Sequence, residues 1–288
     1  MSTAAALRAR LAEPRILVVP GAADALTARI IEQAGFEAVY ATGAGFANAA
    51  LGVPDVGLPS MSEVIQHAQR LGDAISVPLI VDADTGYGNA VNVVRTVREL
   101  ERAGAAAIQI EDQVSPKRCG HFQGMDVVSV GEMVSKIEAA VFARREALVI
   151  ARTDARAVEG FPSAIARARR YAEAGADVIF VEAPRTIEEL RELPKAIDAP
   201  LLANMVEGGK TPLLGAAELE ELGFRIALFA NTALRVALLA VQEAMAELRR
   251  DGTPAALLDR MLSWEERQRL VGLAEYEALE RRFAIPDQ

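Results

Sequence analysis

The chain is predicted to be an α/β protein, a single (β/α)8 TIM barrel, and three observations carry that expectation. Eight short apolar runs recur along its 288 residues, helix-like segments separate them, and four of those segments end on an Ala-Gly or Leu-Gly pair. Short continuous apolar strands are what a parallel sheet requires when helices cover it. A doubly wound open sheet is the alternative, but no Gly-x-Gly-x-x-Gly turn follows the first strand.

In chain order the strands are read over 16–19, 38–40, 79–81, 107–110, 148–150, 178–181, 201–202 and 226–229. The helices before the second, fourth, sixth and eighth stop at Gly35, Gly104, Gly175 and Gly223. Glycine is favoured just past a helix end because it accepts the left-handed conformation there. Helix starts are equally legible: Ser60 with Glu63, Ser129 with Glu132 and Thr186 with Glu189 each fit a capping box. No Pro/Gly/Ser-rich linker, low-complexity tract or charge block divides the chain. One domain over 1–288 is therefore expected, with a C-terminal helical extension over 250–288.

Composition narrows the function. At 51% apolar residues the chain can bury a large core. A net charge of −9 argues against nucleic acid or an anionic membrane as partner. An anionic substrate must then be met by local cations or a metal. A single cysteine permits no internal disulfide and points to a reducing, cytoplasmic setting. The first 13 residues mix arginines and a glutamate with short apolar residues, which is no export signal. The apolar stretch 233–248 is broken by Arg235, Gln242 and Glu243, so no membrane span is expected.

Chemistry in such a barrel gathers at the carboxyl ends of the strands. Those positions read, in order, Asp24; Thr42, Gly43 and Ala44; Asp82 and Asp84; Glu111 and Asp112; Arg152 and Asp154; Glu182; Asn204; and Asn231 with Arg235. Alone, Asp82-x-Asp84 reads as a helix cap. Joined to Glu111 on the neighbouring strand it reads as a metal site, because clustered carboxylates need a cation to stay ionised together. Hard oxygen donors suit Mg²⁺ or Mn²⁺, and with no second histidine or cysteine nearby zinc is not expected. Arg152 is placed to clamp a carboxylate. The hydroxyl and backbone N–H groups of Thr42, Gly43 and Ala44 are a second anion cradle. His67, in mid-helix, reads as structural. The run Lys117-Arg118-Cys119-Gly120-His121 holds the only cysteine and one of two histidines. Neighbouring cations favour the thiolate, so it reads as a reactive loop.

At these residues the chain resembles the isocitrate lyase and phosphoenolpyruvate mutase superfamily. The matching motifs are Leu51-Gly52-Val53-Pro54-Asp55, Val81-Asp82-Ala83-Asp84-Thr85-Gly86-Tyr87-Gly88, Ile110-Glu111-Asp112-Gln113 and Asn204-Met205. Lys117-Arg118-Cys119-Gly120-His121 is similar to the mark of the lyase branch, the methylisocitrate and 2,3-dimethylmalate lyases. The resemblance implies a homotetramer whose last barrel helix is swapped between subunits. It also implies Mg²⁺ and cleavage of a 2-hydroxy acid to pyruvate or glyoxylate plus a second carboxylic acid.

Carried over residue by residue, Thr42, Gly43 and Ala44 would hold the α-keto acid carboxylate. Asp82, Asp84 and Glu111, with Asp55, would hold Mg²⁺ directly or through water. Gly120, Arg152, Glu182, Asn204 and Arg235 would line the substrate pocket. Tyr40 would take the hydroxyl proton, Cys119 would protonate the enolate-like product, and His121 and Lys117 would tune the thiol. Two departures bear on the substrate. Phe122 and Trp264 stand where methylisocitrate lyases carry arginines. Each buried carboxylate needs its own donor, so a dimethylmalate-type dicarboxylate is the better fit. Phe122 and Gly124 resemble the loop of those lyases, although Met125 stands where lysine is commoner. The alternatives are an oxaloacetate decarboxylase, a phosphonopyruvate- or carboxyphosphonoenolpyruvate-processing enzyme, or a barrel that binds a keto acid without turnover.

Overall fold

A computed structural model describes residues 1–118, 120 and 124–285. Helix α1 (Thr3–Ala12) precedes strands β1 (Leu17–Ala22), β2 (Val39–Ala41), β3 (Leu79–Asp82), β4 (Ala105–Glu111), β5 (Leu148–Thr153), β6 (Val178–Val181), β7 (Leu201–Asn204) and β8 (Ile226–Phe229). Between them run α2 (Ala25–Gln33), α3 (Gly43–Leu51), α4 (Met61–Gly72), α5 (Ala90–Arg102), α6 (Val130–Ala143), α7 (Ala155–Val158), α8 (Phe161–Glu173), α9 (Ile187–Ala196) and α10 (Ala216–Leu222). After β8 come α11 (Thr232–Asp251), a 3-10 helix (Ala255–Arg260), α12 (Trp264–Leu270) and α13 (Leu273–Phe283). Every strand pairs in parallel with the next, and β8 pairs with β1, Leu17 opposite Ile226, to close the barrel. All eight predicted runs coincide with strands, those at 16–19 and 38–40 beginning one residue early.

The local signals act as expected. Gly35, Gly104, Gly175 and Gly223 have φ of 90°, 96°, 99° and 105°, a conformation costly to other residues. Ser60 and Glu63 form a complete capping box, whereas Ser129 and Thr186 only accept from the backbone of Glu132 and Glu189. Glu189 turns instead to Arg156, at 2.6 Å.

Side chains alternate across each strand, and this parity builds two cores. Leu17, Val19, Tyr40, Ile80, Ala107, Ile150, Phe180, Leu202 and Leu228 fill the barrel, with Ala4, Leu7 and Leu11 of α1 joining them. Val39, Val81, Ile108, Ile110, Val149, Ile179 and Ala203 pack outward against the helices. Each fully buried aliphatic side chain contributes about 1.5–3 kcal/mol.

The chain divides into two compact units, Met1–Leu234 and Arg235–Gln288. α11 has no buried residue. Val236, Leu238, Leu239, Val241 and Met245 of α11 are all exposed. Within the second unit Leu257 and Leu270 are buried, and Arg260 pairs with Glu243 at 2.8 Å and Glu247 at 2.9 Å. No helix among the described residues is long and apolar enough to cross a membrane.

Candidate active site

The parity that fills the barrel also selects what faces inward at its carboxyl rim. Two residues beyond the interior positions Tyr40, Ile80, Ile150, Phe180 and Leu202 come Thr42, Asp82, Arg152, Glu182 and Asn204. On β4 the inward series runs Ala107, Gln109, Glu111. Thr42, Asp82, Arg152, Glu182 and Asn204, with Ala44, Asp55, Lys117, Gly120 and Asn231, border a cavity of about 50 Å³. A groove of about 710 Å³ elsewhere on the barrel unit is far larger, but it is apolar and carries no cluster of titratable groups.

Asp82 is held from three sides. Its Oδ1 accepts from the Asp84 backbone N at 3.1 Å and from Gln109 Nε2 at 3.2 Å, and its Oδ2 from Gly43 N at 3.3 Å. A Cβ on Gly43 would lie 2.9 Å from Asp82 Oδ2, so this close approach requires glycine. The chain turns sharply after Asp82, with Asp84 at φ 47°. That turn aims Asp84 at Lys117, whose Nζ lies 3.0 Å from Asp84 Oδ1 and 2.5 Å from Asp55 Oδ1. Arg152 is the second buried cation. It binds Asp154 in bidentate fashion (3.0 and 2.8 Å), lies 3.2 Å from Glu111 and 3.7 Å from Glu182, and stacks over Phe180 at 5.2 Å. Asn204 Nδ2 donates to Glu182 at 3.2 Å.

Burial sets the proton affinities here. It pushes Asp84 up from 3.8 to about 6 against the pull of Lys117. It raises Glu111 well above the carboxylate range against the pull of Arg152. Burial opposes the charge of Lys117 too, but Asp84, Glu111, Asp82 and Asp55 together outweigh it and keep the ammonium protonated.

The donor chemistry fits a hard divalent cation. Neither carboxylate oxygen of Glu111 accepts a hydrogen bond, nor does Asp84 Oδ1, although all three are buried and the two side chains are ion-paired. Each side chain meets one cationic side chain, but carboxylate oxygens buried without a hydrogen bond are not fully compensated for their lost hydration, and a hard cation would supply the rest. As placed, no group of three or more His, Cys, Asp or Glu side chains among the described residues is arranged to hold a metal ion. Lys117 occupies the space between Asp55 and Asp84, and Asp82 is turned to N–H donors.

Most of the rim residues read from the sequence therefore meet at one place, with some reassignments. Lys117 sits among carboxylates rather than serving only the thiol. Tyr40 donates its hydroxyl to Gln109 Oε1 at 2.8 Å, and burial, reinforced by Asp82, raises its pKa well above 10, which ill suits a base. Thr42 Oγ1 accepts from Gly45 N at 3.2 Å, capping α3, so at this position the anion cradle is the helix N-terminus more than the hydroxyl. Asp24 caps α2 through Thr27 and has no part in the site. His67 is structural as read: it stacks on Phe46 at 4.3 Å, and burial lowers its pKa to about 4. Arg235 opens the second compact unit. Cys119, His121 and Phe122 lie outside the described residues. Gln109, which links Tyr40 to Asp82, was not anticipated; its signal was a polar residue at an inward position of an otherwise apolar strand.

The phosphoenolpyruvate phosphomutase family model matches residues 7–249. The chain is 48% identical over 286 residues to the 2,3-dimethylmalate lyase of Eubacterium barkeri, covering 99% of both chains. It is 49% identical over 271 residues to the 2-methylisocitrate lyase of Aeropyrum pernix, covering 94% of this chain and 88% of that one. A crystal structure of 2,3-dimethylmalate lyase superposes with a TM-score of 0.94 at 40% identity, over 99% of this chain and 96% of the other. A phosphonopyruvate hydrolase crystallised with oxalate and Mg²⁺ gives 0.90 at 34% identity, over 99% and 100%.

Proposed function

The chain belongs to the phosphoenolpyruvate phosphomutase family, and from that premise we propose that it is a Mg²⁺-dependent carbon–carbon lyase that splits a branched 2-hydroxy dicarboxylate, 2,3-dimethylmalate or a close analogue, into pyruvate and a second carboxylic acid. The observation that supports this substrate is the small cation-poor cavity. Among the described residues Lys117 and Arg152 are its only cationic lining side chains, and Lys117 is already committed to Asp55 and Asp84. Arg152 would meet one substrate carboxylate, and the N-terminus of α3 the other. A tricarboxylate such as 2-methylisocitrate has a third anion to bury and no further cation among those lining groups to meet it.

Asp82, Asp84 and Glu111 would hold Mg²⁺, or Mn²⁺, with Asp55 reaching it through water. When bound, the metal polarises the substrate hydroxyl and the carbonyl that replaces it. The protein's residues do the rest. Tyr40 and Gln109 orient Asp82 and close the floor of the site. Glu182, which lines the cavity and accepts from Asn204 Nδ2 at 3.2 Å, takes the hydroxyl proton. The C2–C3 bond breaks, its electron pair passes to C3 and is delocalised into the adjoining carboxylate, and C2 becomes the keto carbon of pyruvate. Cys119 then protonates C3, with His121 nearby to tune the thiol. For 2,3-dimethylmalate the second product is propionate. Pyruvate release from 2,3-dimethylmalate, followed by coupled NADH oxidation, tests the assignment: Cys119→Ser should abolish it, and full turnover by that variant would remove the chemical basis of the lyase reading.

We extend the proposal to assembly as a homotetramer in the cytoplasm, with α11 exchanged between subunits. Two features support the exchange: the apolar groove bordered by Val18, Ile30, Ile31, Phe36, Leu213 and Phe229, and the exposed apolar residues of α11. Neither is stable facing water at that size.

A further inference from the structure

Glu111 and Asp112 are adjacent in the chain, but strand parity separates them. Glu111 faces the barrel interior, and Asp112 faces the helix layer and is fully buried there. No substrate or metal can reach a side chain so placed, yet it collects an unusual set of partners. Its Oδ1 accepts from Asp154 N at 2.9 Å. Its Oδ2 accepts from Thr153 Oγ1 at 2.7 Å, from Tyr171 OH at 2.7 Å and from Arg167 Nη1 at 3.4 Å. Tyr171 and Arg167 stand four residues apart on one face of α8, and Arg167 Nη1 also donates to Tyr171 OH at 3.1 Å.

What Asp112 holds is the mount of the arginine clamp. The backbone of Asp154 hangs from its carboxylate, and the Asp154 side chain fixes Arg152 through two hydrogen bonds. Its own N–H donates to the Arg152 carbonyl at 3.2 Å. Asp112 also anchors the far end of the segment that carries Lys117: its carbonyl accepts from Val128 N at 2.8 Å, and Arg167 grips the Val128 carbonyl at 2.8 Å.

We propose that Asp112, held by Tyr171 and Arg167 of α8, is a positioning residue that fixes the Arg152–Asp154 clamp from behind the site. The inference rests on the lyase reading for its substrate but not for its geometry. Displacement of a clamp by about 1 Å costs on the order of 100-fold in rate, so a partial loosening should cost about 10-fold.

The test is a double-mutant cycle on the full-length protein with Mg²⁺, reading kcat/KM for 2,3-dimethylmalate and, by calorimetry, the Kd of oxalate. Tyr171→Phe touches nothing that borders the cavity and should lower kcat/KM about 10-fold while weakening oxalate in parallel. Asp112→Asn should cost more. In an Arg152→Lys background, where bidentate positioning is already lost, Tyr171→Phe should add less than about twofold. Should Asp112→Asn not fold, the Tyr171→Phe cycle still decides. A Tyr171→Phe protein with lowered Tm but wild-type kcat/KM and oxalate affinity would overturn the proposal, as would equal effects in both backgrounds. If the wild-type enzyme cleaves no 2-hydroxy acid, the lyase reading fails, and the oxalate arm alone decides the positioning.

Discussion

Neutralising Asp84 should make the metal-free protein more stable while removing its function. Asp84 is buried, and its pKa rises in the folded state from 3.8 to about 6. Between those values the folded chain binds more protons than the unfolded one, so this group makes stability fall as pH rises through the window and leaves a constant penalty above it. The rise corresponds to about 3 kcal/mol at pH 8, of which roughly half remains at pH 5. Asp84→Asn preserves the shape and removes the penalty. In chelator, urea unfolding should show the variant more stable by about 3 kcal/mol at pH 8, with the difference roughly halved at pH 5. Excess Mg²⁺ should erase the difference, stabilising the wild type by about 3 kcal/mol at 100 times its Kd and leaving the variant unchanged. An Asp84→Asn protein less stable than wild type at pH 8, or a difference that does not change with pH, would refute the reasoning.

Lys117→Met strips the buried ammonium from Asp55 and Asp84 and leaves two carboxylates unpaired. It should cost about 3–5 kcal/mol in metal-free unfolding and abolish turnover. Gly120→Ala introduces a Cβ 2.7 Å from Arg152 Nη2, 2.7 Å from Glu182 Cγ and 2.8 Å from Asp154 Oδ1. At a rim position it should leave Tm within a few degrees of wild type yet lower kcat/KM by about 100-fold, as checked by steady-state kinetics. Val236→Glu combined with Leu239→Glu places charge on the exposed face of α11. Sedimentation velocity should then show a smaller species than the tetramer proposed for the wild type.

The barrel was legible in the sequence because parallel strands buried on both faces must be apolar throughout, and because left-handed helix ends favour glycine. The rim was legible for the same reason: once the strands are placed, the polar residue after each apolar run has nowhere else to go. What stayed hidden depends on facing and on distance. The pair Glu111-Asp112 reads as one acidic motif until the register of β4 assigns one carboxylate to the site and the other to α8. Lys117 reads as a partner for the neighbouring thiol, because nothing local says that the segment after β4 meets Asp55 from the segment after α3. Gln109 was concealed inside a run counted as apolar. α11 has the composition of a packed helix, and only the structure shows that this chain alone does not bury it.

The most direct test of the central claim is a pyruvate-release assay across 2,3-dimethylmalate, 2-methylisocitrate, oxaloacetate and phosphonopyruvate, each with Mg²⁺ and with a chelator. The cation-poor cavity predicts that 2,3-dimethylmalate gives the highest kcat/KM and that chelation abolishes release. Methylisocitrate as the best substrate would contradict the argument from the missing cations, and metal-independent cleavage would contradict the site itself.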